Sequence, residues 1–376
     1  MPNSKRSFDK ANIFFLANPY SPHVRHWECL LGYGSRKMAV ITAHRAKSDP
    51  LVSVPVYNLL PGVLDKIPFV LRYILLGLYI RFFCNKKTIP FVHAHNTSGY
   101  GLSALLSGRP YIVTTYGSEI FDSQARGWLY CVVIRAILRK ATAITSTSPK
   151  MTDSLVRSFG VDRTKIHEFS LGVSSAFFFD KMNRRRIREN LGFHFAPVWI
   201  VNRRIHPLYH TIELVKAFAS FRKTTGVGFL MVLEGDSDSG YLAEVERICG
   251  EVDGVKLIRG FMAQDDLRGY LSAADFSISV PESDQLSSSI LEGAVCGAIP
   301  LLADLESYAP VRGFSVLFKI PNPGSAGSYD LVFKRSYEMM LSGDYEYCRR
   351  DMFEKLGRFT MDAALPEVND LYGLIR

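Results

Sequence analysis

Residues 281–297 read PESDQLSSSILEGAVCG. They follow Phe276–Val280, an apolar-rich run of strand length and composition. A polar loop then opens a helix at Ser287–Cys296, and Gly297 stands where glycine commonly ends one. Strand, loop and helix in that order are the unit of a parallel sheet covered by helices. Three serines, Ser287, Ser288 and Ser289, begin the helix. First-turn N–H groups lack intrahelical partners and the helix dipole favours negative charge, so this start is suited to an anion such as a diphosphate. Asp284 in the loop and Glu292 about one turn inside the helix flank it at a spacing of eight. A second reading is open here: Ser289-x-x-Glu292 spells a capping box, in which Glu292 only satisfies a backbone donor.

The same alternation runs outward through the chain. Asn12–Ala17, Met38–Thr42, Phe91–Ala94, Tyr111–Thr115 and Ala143–Thr147 read as short buried strands with helical stretches between them. A charged break, DKMNRRRIRE at Asp180–Glu189, interrupts the pattern. It restarts with Val198–Asn202, Phe229–Glu234, Val255–Arg259, Phe276–Val280 and Ile299–Ala303. The expected fold is α/β, with two Rossmann-like, doubly wound parallel-sheet domains in series. The expected boundaries are a first domain at 1–180, a linker at 181–196, a second domain at 197–358 and a terminal helical segment at 359–376.

Composition supports packed domains. The chain has 376 residues, 47% of them hydrophobic and 22% charged. Its six cysteines are scattered, with no C-x-x-C pair, which points away from a zinc site or a disulfide framework and towards a reducing cytoplasm. The start, MPNSKRSFDK, has no apolar run of signal-peptide type. The net charge of +9 is uneven: residues 1–180 carry 22 Lys/Arg against 10 Asp/Glu, and the remainder 23 against 26. A basic half suggests an anionic partner. No nucleic-acid-reading motif is present and the basic residues are dispersed, so an anionic membrane surface or a lipid diphosphate is expected rather than nucleic acid. Phe69–Phe83 is apolar but, at 15 residues, shorter than the ~20 a bilayer needs. Trp128, Val132, Arg135 and Arg139 share one face of a helical stretch, an aromatic and basic mix suited to a membrane interface. A core helix with solvated arginines is the alternative.

The loop and helix at 281–297 resemble the acidic pair and small-residue helix of retaining GT-B enzymes of glycosyltransferase family 4, the type that builds bacterial polysaccharide and lipopolysaccharide. The family shows two acidic residues separated by seven others; Asp284 and Glu292 stand at those positions. By this resemblance Glu292 binds the ribose hydroxyls of a nucleotide donor. Asp284 lies near the transferred sugar, and Gln285, Leu286, Ser287, Ser288 and Ser289 hold sugar and diphosphate. The segment VNRRIHPLYHTIELVKAF at Val201–Phe218 is similar to the family's first donor-domain strand and helix. It places Arg204 on the diphosphate-contacting arginine and Tyr209 where the family has a lysine, with Arg203, Lys256 or Arg259 able to compensate, or Arg204 and backbone alone holding the phosphates. Gly235 falls in the family's glycine loop, and Arg259, Gly260 and Met262 in its base-contacting segment. Asp236 and Asp238 spell D-x-D, read here as a turn because the family needs no metal. In the first domain, His23 follows the first strand, His95 belongs to an H-x-H strand, and Tyr116, Ser118 and Glu119 lie in a turn where the family often has a histidine at position 116. The resemblance makes these the acceptor side, with Glu119 able to contact or deprotonate the acceptor hydroxyl. It also makes the terminal helix return to the first domain.

The expected reaction is sugar transfer with retention from a nucleoside diphosphate, UDP favoured and GDP possible, to a hydroxyl of a membrane-associated glycolipid or polysaccharide precursor. It needs no cofactor and no metal, with Asp284, Glu292, Arg204 and Glu119 at the chemistry, on the inner face of the plasma membrane. The rivals are a nucleotide-sugar 2-epimerase or a phosphorylase on the same fold, and a non-catalytic subunit of a polysaccharide assembly complex.

Overall fold

A computed structural model describes residues 11–44, 49–60, 67–235, 237, 239–260 and 262–374. The chain divides into two compact units, Met1–Ser174 with Met361–Arg376, and Ser175–Thr360.

The first unit runs β1 (Ile13–Leu16), α1 (Pro22–Tyr33), β2 (Met38–Thr42), β3 (Val56–Asn58), α2 (Phe69–Phe83), β4 (Val92–His95), α3 (Gly99–Ser107), β5 (Tyr111–Thr114), α4 (Ser118–Phe121), α5 (Trp128–Lys140), β6 (Ala143–Ser146), α6 (Pro149–Phe159) and β7 (Ile166–Glu168). Its strands form a parallel sheet in the order β3-β2-β1-β4-β5-β6-β7. β1, β2, β4, β5 and β6 are buried along their whole lengths, as strands covered on both faces must be. Leu76, Ile80, Ala104, Ile134 and Ile137 fill one face of the sheet. Trp27, Leu30 and Leu31 fill the other.

The second unit runs α7 (Lys181–Asn190), β8 (Val198–Val201), α8 (Thr211–Thr225), β9 (Phe229–Leu233), α9 (Ser239–Glu251), β10 (Val255–Ile258), α10 (Gln264–Ala273), β11 (Phe276–Ser279), α11 (Ser288–Val295), β12 (Ile299–Ala303), β13 (Val316–Phe318), α12 (Asp330–Ser342) and α13 (Asp344–Lys355). The parallel order is β10-β9-β8-β11-β12-β13. Its core is aromatic: Trp199 packs against Phe218, Phe221, Phe276 and Phe333, and its indole N–H donates to Ser336 Oγ at 2.8 Å. The stretch 181–196, expected as a linker, lies within this unit. Asp180 caps α7 through Asn183 N–H at 2.9 Å, and Arg184 and Arg188 of α7 both reach Asp275 at 2.6 Å.

The last helix, α14 (Met361–Gly373), belongs to the first unit. Val368 and Leu371 join the face lined by Trp27, and Tyr372 Oη lies 2.7 Å from His93 Nδ1. Three strands had no counterpart in the sequence reading: β3, β7 and β13, each three residues long and each at a sheet edge.

Candidate functional site

In each sheet the strand order reverses direction at one place, between β1 and β4 and between β8 and β11. Open α/β sheets bind ligands outside the carboxyl ends of their strands at such a switch point. Candidate residues lie at both, while Gly235 follows β9 and Arg259, Gly260 and Met262 follow the edge strand β10.

At the β8/β11 switch, the loop after β11 leads into α11. Ser287 is the N-cap, with an extended backbone and a side chain that accepts from Ser289 N–H at 3.3 Å. Glu292 is therefore five residues beyond the cap, and the capping-box reading of Ser289 and Glu292 does not describe this helix. Its carboxyl instead hydrogen-bonds the Ser288 hydroxyl. Burial pushes the Glu292 carboxyl up to about 7, opposed by that hydroxyl and by the nearby Arg203 charge. Asn202, just past β8, donates to Ser289 O at 2.8 Å and ties the two loops together. Gly293 lets α11 lie close on β11: a Cβ there would meet Ser277 Oγ at 3.0 Å.

Arg203 is the hub of the site. Its guanidinium is buried, donating to Ser289 Oγ at 2.6 Å, to Asp284 Oδ2 at 2.7 Å and to Tyr209 Oη at 2.9 Å. It also lies 4.5 Å from the centroid of the Tyr209 ring. Asp284 Oδ2 accepts a further bond from Tyr308 Oη at 2.8 Å. Burial pushes the Asp284 carboxyl above its ordinary value, against the pull of Arg203 and the Tyr308 hydroxyl. Burial lowers the Arg203 guanidinium, but Asp284, Tyr209 and Tyr308 together hold it above its usual value. Arg204, to which the sequence resemblance assigned the diphosphate, has an exposed side chain, whereas its neighbour enters the network.

Gln285 and Leu286 are half-buried in the loop. Gly235 and Gly260 are exposed with left-handed backbones, φ +54° and +82°. Gly260 N–H donates to Glu234 at 2.9 Å. Arg259 is paired with Glu246, and Met262 is half-buried. Asp236 and Asp238 lie outside the described residues. Among the described residues no group of three or more His, Cys, Asp or Glu is placed to hold a metal ion.

Four residues not singled out from the sequence line a cavity of about 300 Å³: His210, Glu213, Tyr241 and Glu282, with Pro207 and Leu208. His210 caps α8 in the left-handed region at φ +52°, a conformation unusual for a histidine, and its Nε2 is buried without a hydrogen-bond partner. No sequence signal marked it, because the backbone conformation and not the side chain sets its place.

At the β1/β4 switch the central pair, His95 and Tyr116, is neutral. His95 is buried, with Nδ1 2.6 Å from Tyr116 Oη, and the exposed His23 ring stacks on Tyr116 at 4.7 Å. Burial, with His93 and His23 close by, drives His95 well below the ordinary histidine range, and burial raises the Tyr116 phenol well above its own. His93 beneath them bridges Tyr372 and Thr114, both at 2.7 Å. Glu119 is buried in the first turn of α4, where it accepts Tyr116 N–H at 2.7 Å; burial pushes its carboxyl up. The carboxylate thus closes the turn that holds Tyr116. The side chain of Ser118 lies outside the described residues.

Residues 34–172 match the family described as Glycosyl transferase 4-like domain. A comparison with curated proteins finds no match. Among solved structures, HepE of Anabaena in complex with UDP and glucose aligns with a TM-score of 0.73 at 14% identity, covering 96% of this chain and 99% of that one. Sucrose-phosphate synthase of Thermosynechococcus elongatus aligns with a TM-score of 0.73 at 17% identity, covering 96% and 98%. WaaG, a glycosyltransferase involved in lipopolysaccharide biosynthesis, gives 0.69 at 14% identity, covering 96% and 97%. These likenesses give the fold, two Rossmann-like parallel-sheet units of GT-B type, and the match over residues 34–172 marks a glycosyl transferase 4-like domain within the first unit.

Proposed function

We propose that the chain transfers a sugar from a nucleoside diphosphate sugar, UDP-linked in the first instance, to a hydroxyl of a membrane-associated glycolipid or polysaccharide precursor, with the anomeric configuration retained. The observation that carries this is the start of α11 at the β8/β11 switch. A serine-capped helix N-terminus and a buried guanidinium meet there, which is chemistry for a diphosphate. Glu292, one turn deeper, is the acceptor for the ribose hydroxyls, and Asp284 faces the sugar. GDP has the same diphosphate chemistry and is the second candidate. The UDP held by the HepE structure supports the first.

In the proposed reaction the bond from the anomeric carbon to the diphosphate oxygen breaks. The acceptor oxygen bonds to that carbon on the same face, and its proton passes to the departing diphosphate. The protein stabilises the charge left on the diphosphate through Arg203 and the helix N–H groups, which cost no reorganisation at the moment of reaction. These groups meet the charge without a divalent ion, so transfer is expected to proceed in the presence of a chelator.

The membrane part rests on α5. Trp128 is 77% exposed, and Leu129, Val132, Arg135 and Arg139 share its solvent side, while Ile134, Ile137 and Leu138 are buried. An interfacial helix carries aromatic and basic residues in this way. Among the described residues, no helix is long and apolar enough to cross a membrane.

A thermal-shift series with UDP, GDP and the other nucleoside diphosphates, followed by transfer assays from the sugar donors of whichever binds, tests the reading. A rise in melting temperature with one of them is expected, because a ligand of the native state stabilises it. No shift with any would overturn the donor assignment. Conversion of the donor sugar without an acceptor would replace transfer by epimerisation.

A further inference from the structure

We infer that Tyr209 positions Arg203, the diphosphate cation of the reading above, and that Asp284 holds this arginine until a diphosphate takes the place of the carboxylate. This rests on the nucleoside-diphosphate reading above and assigns the order of events within that site.

Three features of the Arg203 contacts carry the inference. First, the guanidinium is buried yet incompletely matched. Nη1 and Nη2 find Ser289, Asp284 and Tyr209, while Nε is buried with no hydrogen-bond partner. A guanidinium has five N–H donors and a buried one left unmatched is costly, so this site favours a ligand that offers more acceptor oxygens.

Second, the link to Asp284 is single. It runs from Nη2 to Oδ2, and that same oxygen also accepts Tyr308 Oη. The two-bond fork that makes guanidinium–carboxylate pairs strong is not formed. A phosphate group can take Nη and Nε together and brings more negative charge, so it competes well for the same cation.

Third, Tyr209 contacts the guanidinium through its ring and its hydroxyl, neither of which is the carboxylate that a phosphate would displace. The ring lies 4.5 Å from the guanidinium carbon and the hydroxyl accepts at 2.9 Å. Tyrosine cannot supply an ammonium where the family has lysine, but here it carries the arginine that can. When diphosphate draws Arg203 away, the Asp284 carboxylate is released. The acidic group on the sugar side is thus set free only by a loaded donor.

Calorimetric titration of the full chain with UDP, GDP, UMP, uridine and inorganic diphosphate tests this. Wild type should bind UDP or GDP at least about tenfold more tightly than the matching monophosphate. Arg203→Gln should abolish that preference. Tyr209→Leu should weaken inorganic diphosphate and UDP by about twentyfold, and Tyr209→Phe, which keeps the ring, by only about fivefold, both leaving uridine unchanged. Asp284→Asn should tighten diphosphate binding severalfold while transfer falls. If the Tyr209 variants weaken uridine and UDP alike, the residue is merely structural and the inference fails. Asp284→Asn binding diphosphate more weakly would also overturn it. Should inorganic diphosphate bind with the expected variant pattern while no nucleoside diphosphate binds, the donor reading fails and the anion exchange stands. Should UDP bind wild type and Arg203→Gln equally, the donor reading stands and the inference fails.

Discussion

Two aspartates paired with arginine flank strand β11, Asp275 just before it and Asp284 in the loop after it, and the two pairs differ in kind. At the amino end, Asp275 is 1% exposed and fully matched: Arg184 and Arg188 at 2.6 Å, Val198 N–H at 2.8 Å and Tyr345 Oη at 3.3 Å. At the carboxyl end, Asp284 holds Arg203 by one bond, and the arginine keeps an unmatched N–H. The same two residue types make a structural clamp in one place and an exchangeable contact in the other. Residue type does not separate them. Position along the strand does, because ligands meet parallel sheets at the carboxyl edge.

The largest expected effect breaks the clamp. Asp275→Ala leaves two arginines without their shared carboxylate, and removing one partner of a buried ion pair costs about 3–5 kcal/mol. Denaturant unfolding should show that loss, or no folded protein at all. A variant within 1 kcal/mol of wild type, taken as an order-of-magnitude margin, would mean that the clamp is dispensable.

Arg203→Gln should invert the pattern, lowering transfer by roughly 10²-fold, the scale of losing a charge-stabilising donor. Its loss of stability should be much smaller than that of Asp275→Ala. If the two variants lose stability equally, the ends of β11 are not different in kind.

Glu292 sharpens the comparison through pH. Its carboxyl is raised by burial to about 7, so the empty protein favours the protonated form. The native state then binds more protons than the unfolded chain between the ordinary glutamate range and about 7. The stability of the empty protein therefore falls as pH rises through that window. Donor binding should do the opposite, since ribose hydroxyls are accepted best by the ionised carboxylate: UDP affinity should decline as pH drops below about 7. Glu292→Gln should weaken UDP about tenfold and flatten both trends. An unchanged pH profile in that variant would remove Glu292 from the ribose.

The smallest effect concerns α5. Arg135→Glu with Arg139→Glu should reduce flotation with anionic vesicles several-fold, at about 1 kcal/mol per basic residue near a charged surface, and leave UDP binding untouched. Equal flotation of variant and wild type would end the membrane assignment.

The central strands and the α11 loop were legible in sequence because full burial leaves continuous apolar runs. β3, β7 and β13 were not. Each has three residues, two of them only partly buried in β7 and β13 and none fully buried in β3, so neither length nor pattern announces them. The acidic pair was found by spacing. Which of Ser287, Ser288 and Ser289 caps the helix could not be, because all three are competent caps. Arg203 and Arg204 are adjacent in a loop, where no strand alternation dictates which one turns inward. The family spacing favoured Arg204, while the structure buries Arg203. The neutral pairing of His95 with Tyr116 also lay beyond the sequence, since it depends on β4 and β5 lying side by side.

The return of α14 to the first unit has a consequence for synthesis. A chain emerging from the ribosome completes Ser175–Thr360 before the first unit receives its last helix. The region that begins first is finished second, and until then His93 has no Tyr372 to meet and the face beneath Trp27 is open. A stalled or clipped product ending at Thr360 should therefore present a protease-resistant second unit beside a first unit that is readily digested. Quality control in the cell would see that difference before any substrate does.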